Sequence, residues 1–190
     1  DSLGVPRHVI DHAKRLAHAH TGIPAERILV SATHTHSATT SLGERWSPAE
    51  YEVSPALDDY QTFLATRIAD SIRLGVANLE PAQVAWGRAS LPDEVFNRRW
   101  FMREGTVPPN PFGKVDKVKM NPPAGSKDLT EPAGPTDPTV SFIALREPTG
   151  RMISVYSAYS LHYVGGVPAP EISADYYGMY CEALKQLQQS

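Results

Sequence analysis

A proline- and glycine-rich stretch at about 101–138 constrains this 190-residue chain more than any other feature. It holds most of the proline clusters, among them Pro108-Pro109 and Pro122-Pro123, together with several glycines and scattered lysines. Proline donates no N–H to a ladder and clashes with the preceding helical turn, so no long helix or central strand can run through it. The stretch is expected to be a surface insertion or lid, with regular structure on either side.

On the N-terminal side, Pro6 suits the first turn of a helix. Val9, Ile10, Ala13, Leu16 and Ala17 then recur at helical spacing until Thr21-Gly22 supplies a stop, which predicts a helix over 6–20. After the connector Ile23-Pro24-Ala25-Glu26, the run Arg27-Ile28-Leu29-Val30-Ser31 fits a short buried strand leading into His34-Thr35-His36. Residues 41–56, with Trp46 and Tyr51, lack either period and are expected to be loop. Tyr60, Leu64, Ile68, Ile72 and Val76 lie four apart, predicting a second helix with those residues as its apolar face, closed near Asn78-Leu79-Glu80-Pro81.

Gln83 to Leu91 alternates through Val84, Trp86 and Arg88 as a strand does, and leads into Asn97-Arg98-Arg99-Trp100. Beyond the insertion, Val140 to Arg146 and Met152 to Tyr159 flank the turn sequence Glu147-Pro148-Thr149-Gly150, an antiparallel hairpin whose second strand leads to His162. Ser173 can cap a last helix with Met179, Ala183, Leu184 and Leu187 as its apolar stripe. The fold class is mixed α and β, with strands and helices alternating and a mixed β-sheet covered by helices. Because the chain begins at Asp1 rather than methionine and stops at Ser190 after a helix, truncation at both ends is expected.

A net charge of −3 provides no broad positive field, and no basic patch suited to a phosphate backbone is evident, which argues against nucleic acid. No apolar run reaches the roughly 18 to 20 residues of a membrane-spanning helix. The single cysteine, Cys181, excludes an intrachain disulfide and any multi-cysteine zinc site.

The chemistry-bearing residues are histidines at loop positions. In extended chain, residues two apart project to one side, so His34 and His36 can face one point, with the hydroxyls of Thr33, Thr35 and Ser37 placed to orient the rings. Such a pair is either a partial metal site or a polar loop bonded to nearby backbone, and spacing alone does not choose between them. His162 is a third candidate. His8, His12 and His18 fall on the polar side of the first helix and are expected to be solvated, while His20 suits its C-terminus. Arg98 and Arg99 are either surface residues or holders of a carbonyl oxygen. Ser37 has no Gly-x-Ser-x-Gly elbow to expose it as a nucleophile, and Gly165-Gly166 lacks the pattern of a phosphate loop.

Taken in order, Ser31-Ala32-Thr33-His34-Thr35-His36-Ser37, Asn97-Arg98, Asp137-Pro138-Thr139-Val140 and its hairpin, His162, and Ser173-Ala174-Asp175-Tyr176-Tyr177-Gly178 resemble the catalytic domain of neutral/alkaline, non-lysosomal ceramidases. The resemblance runs across most of the chain. It implies a partial catalytic domain over 1–190 that hydrolyses the amide bond of an N-acyl lipid with Zn2+. His34 and His162 would be metal ligands, His36 would lie beside the metal and Arg98 would contact the reacting carbonyl. The family's glutamate and tyrosine ligands would lie beyond Ser190, so the 190 residues alone are expected to be inactive. The resemblance alone suggests an extracytoplasmic or secreted location, and a peripheral membrane contact is compatible with it. Ala38 stands where the family usually has Gly, Tyr163-Val164 where it has Pro-Thr, and Arg99-Trp100 where it has Ser and Pro. These departures bear on substrate more than on metal chemistry. The rival readings are a non-catalytic relative that binds a lipid or glycan, and a metal-independent hydrolase using Ser37.

Overall fold

The computed structural model describes residues 2–42, 56–162, 166–168 and 170–189. Most of the 41–56 loop, with Trp46 and Tyr51, lies outside them, as does Gly165. Two compact units result: Asp1–Ala82 with His162–Ser190, and Gln83–Leu161.

In the first unit, α1 (Arg7–Thr21) follows Pro6 at its N-cap. It ends at Gly22, whose φ of 73° is the left-handed geometry that lets its N–H close on the His18 carbonyl at 2.8 Å. The second helix, α2 (Asp59–Ala77), starts with a capping box in which Asp58 and Gln61 each accept the other's backbone N–H. Their contact is built from small side chains: Val9 and Ala13 of α1 cluster with Ala65, and Ala17 and Ile28 with Ala69.

The expected apolar face of α2 is therefore displaced by one position. Gln61, Ala65 and Ala69 are its buried residues, while Ile68 and Ile72 pack against the clusters from the side and Tyr60 is exposed. Alanine lets two helix backbones approach closely, and the larger neighbours then cover the flanks of the contact. Gln61 can occupy the buried line because its amide is satisfied. Nε2 donates to the Ser41 carbonyl at 2.8 Å and Oε1 accepts the Asp58 N–H at 3.2 Å.

The strand expected over 27–31 does not form among the described residues. A 3-10 turn covers Ala25–Arg27, after which Ile28 is buried and Leu29 is 85% exposed. The alternation is real, but it seats one side chain in a helix-lined core and no ladder accompanies it. Of the helix histidines, His18 rather than His20 serves the C-terminus, with Nδ1 2.9 Å from the Ile23 carbonyl. His8 is only partly exposed, and its Nε2 is buried without a hydrogen-bond partner among the described residues. The last helix, α3 (Asp175–Gln189), begins where the Ser173 hydroxyl accepts the Asp175 N–H at 3.0 Å. Its stripe residues Met179 and Leu187 are exposed.

The second unit holds two antiparallel sheets. In one, β1 (Gln83–Ser90), β5 (Thr139–Arg146) and β6 (Met152–Ala158) lie in the order β1-β5-β6. The expected β5–β6 hairpin is present, closed by the Glu147 N–H on the Arg151 carbonyl at 2.8 Å and an ion pair between the same two side chains. The other sheet comes from the proline-rich stretch itself: β2 (Arg99–Met102), β3 (Val118–Met120) and β4 (Leu129–Pro132), in the order β3-β2-β4. A surface insertion or lid without a long helix or central strand was expected there. Strands of three and four residues fit between the prolines, which fall in the turns or at a strand end where no N–H is required. Mixed α and β content is thus as expected, whereas both sheets are antiparallel rather than mixed. No helix among the described residues is long and apolar enough to cross a membrane.

Candidate metal centre

His34, His36 and His162 come together in the first unit. Each offers one ring nitrogen, and these three atoms lie within 4.8 Å of one another. Ring centroids are 4.7 Å apart for His34–His36 and 5.1 Å for each of the pairs with His162. The means of convergence differs from the extended chain expected. His34 has φ 61°, a left-handed conformation uncommon outside glycine, and a turn follows at His36-Ser37.

Backbone groups hold this geometry. Leu3 donates its N–H to the Thr39 carbonyl at 3.2 Å, and the Ser41 hydroxyl reaches the Gly4 carbonyl at 2.9 Å, so the segment before α1 lies along the chain that follows the histidines. This alignment puts the Leu3 carbonyl 3.1 Å from His34 Nδ1. A carbonyl only accepts, so Nδ1 carries the proton and a neutral His34 turns its Nε2 lone pair into the cluster. Orientation of a ligand ring by such an outer bond is the usual companion of metal binding.

The flanking hydroxyls were expected to orient the rings, and they act elsewhere. Thr35 is fully buried and its Oγ1 lies 2.7 Å from that of Thr33. Ser37 donates its hydroxyl proton to the Ser173 carbonyl at 3.1 Å, and the Ser173 N–H returns a bond to the Ser37 carbonyl at 3.0 Å. A serine whose proton is committed to a carbonyl is not poised to pass it to a neighbouring imidazole.

The donor set can be tested for fit to zinc. His36 Nε2 and His34 Nε2 are 3.2 Å apart. Tetrahedral zinc with Zn–N near 2.0–2.1 Å separates two ligand nitrogens by about 3.3–3.4 Å. The pair is therefore spaced for one shared ion, or for one hydrogen bond in which His36 donates to His34. Three imidazoles also suit the ion chemically. All three are exposed, so water reaches the cluster.

Arg98 belongs to the sheet unit, where it is an exposed residue immediately before β2, with its carbonyl accepting the Asn121 N–H at 2.8 Å. Beside His36 lies a groove of about 430 Å³ whose walls include Ala38, Val167, Pro168, Pro170 and Ile172. Asp175 Oδ2, two residues after Ser173, is buried without a hydrogen-bond partner among the described residues. The roles of the Leu3 carbonyl and of Ser173 carry no sequence signature, since a main-chain carbonyl is present at every position. No protein-family model, curated protein or solved structure matches the chain.

Proposed function

We propose that this chain carries the zinc-binding part of an amidohydrolase that cleaves the amide bond of an N-acyl lipid of the ceramide type. The observation that supports it most is the convergence of His34, His36 and His162, with the His34 tautomer set by the Leu3 carbonyl. His34 and His162, which come from distant parts of the sequence, are assigned as ligands. The chemistry such an ion supplies is polarisation of the amide carbonyl and a water acidic enough to ionise near neutral pH.

His36 then has the proton work. Its ring takes a proton from the attacking water as the C–O bond forms and returns it to nitrogen as the C–N bond breaks, leaving a carboxylic acid and an amine. Arg98, through the resemblance alone, is assigned to the oxygen on which negative charge develops. The groove beside His36 is lined largely by apolar groups, which suits an acyl chain better than a sugar.

One observation favours the non-catalytic reading, in which a lipid or glycan is bound without turnover: the three rings are exposed, and hydrolytic sites usually exclude bulk water. Zinc binding separates the readings. The chain should take up one equivalent of zinc and lose it when His34 or His162 is replaced. N-acyl lipid hydrolysis should then stop on chelation. A chain that binds no zinc would overturn the hydrolase assignment.

A further inference from the structure

The geometry points to a second functional surface, in the sheet unit: the turn at 109–115 is built to enter the headgroup region of an anionic lipid bilayer. Phe112 stands at its apex with 88% of its surface exposed, and Val115 beside it is 62% exposed. Large apolar groups at the tip of a turn gain nothing from water and everything from an apolar phase.

The tip is rigid for a segment so exposed. The Asn110 side-chain oxygen accepts the N–H groups of Phe112 and Lys114 at 3.0 and 3.1 Å, and its Nδ2 donates to Asp116 at 3.1 Å. Backbone bonds from Asn110 to Lys114 at 2.7 Å and from Gly113 to Asn110 at 2.9 Å close the turn, with Gly113 at φ 76°. Pro109 pairs with Val115 across its base. Pro111 restricts the backbone just before the apex. Phe112 is thus presented with little conformational freedom left to lose on binding.

Charge selects the kind of bilayer. Residues 98–127 contain seven Lys or Arg and two Asp or Glu, in a chain whose net charge is −3. Lys114 and Lys117 are exposed next to the tip, and Arg103, just after β2, donates to the Lys127 carbonyl at 2.9 Å. An apolar wedge collared by cations is the chemistry of an interfacial anchor: the wedge inserts and the collar meets lipid phosphates and carboxylates. A nucleic acid would engage the lysines yet leave Phe112 in water, so it fits the surface less well. This surface is independent of the histidine cluster and would stand if zinc did not bind.

Flotation of the 190-residue chain with phosphatidylcholine vesicles, with and without phosphatidylglycerol, tests it. Binding is expected only to the anionic vesicles and should weaken as salt rises. Phe112→Ala and the double change Lys114→Glu/Lys117→Glu should each lower the bound fraction about tenfold, and Phe112→Leu should retain most of it. Because Phe112 is exposed, circular dichroism should be unchanged in all three variants. Equal binding to neutral vesicles, no binding to either kind, or loss in the lysine variant with full retention in Phe112→Ala would each overturn the proposal, the last marking a general polyanion site.

Discussion

Ser37 and Ser173 are joined by two reciprocal hydrogen bonds, the Ser37 hydroxyl to the Ser173 carbonyl at 3.1 Å and the Ser173 N–H to the Ser37 carbonyl at 3.0 Å. They tie the segment that follows His162 to the residue that follows His36, across 136 positions of sequence. Ser37→Ala removes one of the two. Stability should fall by about 1 kcal/mol and zinc affinity by less than about tenfold, because Ser37 holds the frame and not the ion. Complete loss of turnover with zinc still bound would instead mark Ser37 as the nucleophile.

The three histidines should separate by role. His34→Ala and His162→Ala should each weaken zinc binding by at least about a hundredfold, measured by competition with a chromophoric chelator. His36→Ala should leave zinc in place and lower the rate of amide hydrolysis by about two to four orders of magnitude. If His36→Ala loses zinc as completely as the other two, the cluster is a three-histidine site and the general base lies elsewhere.

Gln61 joins the capping box of α2 to the buried Ser41 carbonyl. Gln61→Ala should cost about 1–3 kcal/mol in urea denaturation, since it leaves a buried carbonyl without its donor. Asp58→Ala, which removes only the cap, should cost about 1 kcal/mol. Equal losses in the two variants would show that the Ser41 bond contributes little.

Ala65 lies fully buried against Val9 and Ala13 where α1 meets α2. Ala65→Leu barely changes helix propensity and should destabilise the protein by about 1–3 kcal/mol, because the added atoms must push the helices apart. An unchanged denaturation midpoint would mean that the contact has room to spare.

Asp137 accepts the Thr139 N–H at 3.0 Å at the start of β5. That backbone bond, reinforced by the Thr139 side chain, holds its carboxyl below the ordinary 3.8. The charged form is favoured by folding, so its contribution is complete above about pH 3.8 and is lost as pH falls through the lower folded value. Titration followed by carboxyl-carbon NMR should give a midpoint under 3.8, and Thr139→Pro, which deletes the N–H, should raise it. A midpoint at or above 3.8 in the parent chain would contradict the bond.

What could be read from sequence followed from what periodicity encodes. The helix stopped by Gly22 and the helix carrying Tyr60 to Val76 appeared within a residue or two of expectation, as did the hairpin around Glu147-Pro148-Thr149-Gly150. The apolar period misled wherever packing partners decide. Alanines took the centre of the α1–α2 contact from larger residues, and Ile28 was buried without the ladder its neighbours suggested. In the proline-rich stretch, composition excluded long elements but left room for three short strands. Spacing and motif order brought His34, His36 and His162 under suspicion, whereas the left-handed turn that gathers two of them depends on bonds to Leu3 and Ser173 that no local pattern encodes.

The positive φ at His34 gives that position two separable selection pressures. Most side chains lose about 1–2 kcal/mol in such a backbone, with glycine, asparagine and aspartate penalised least. A library randomised at this codon and screened for folded protein alone should therefore enrich those three residues, while a screen for bound metal should return histidine. The difference between the two outcomes would measure what coordination demands beyond what the chain's path already imposes.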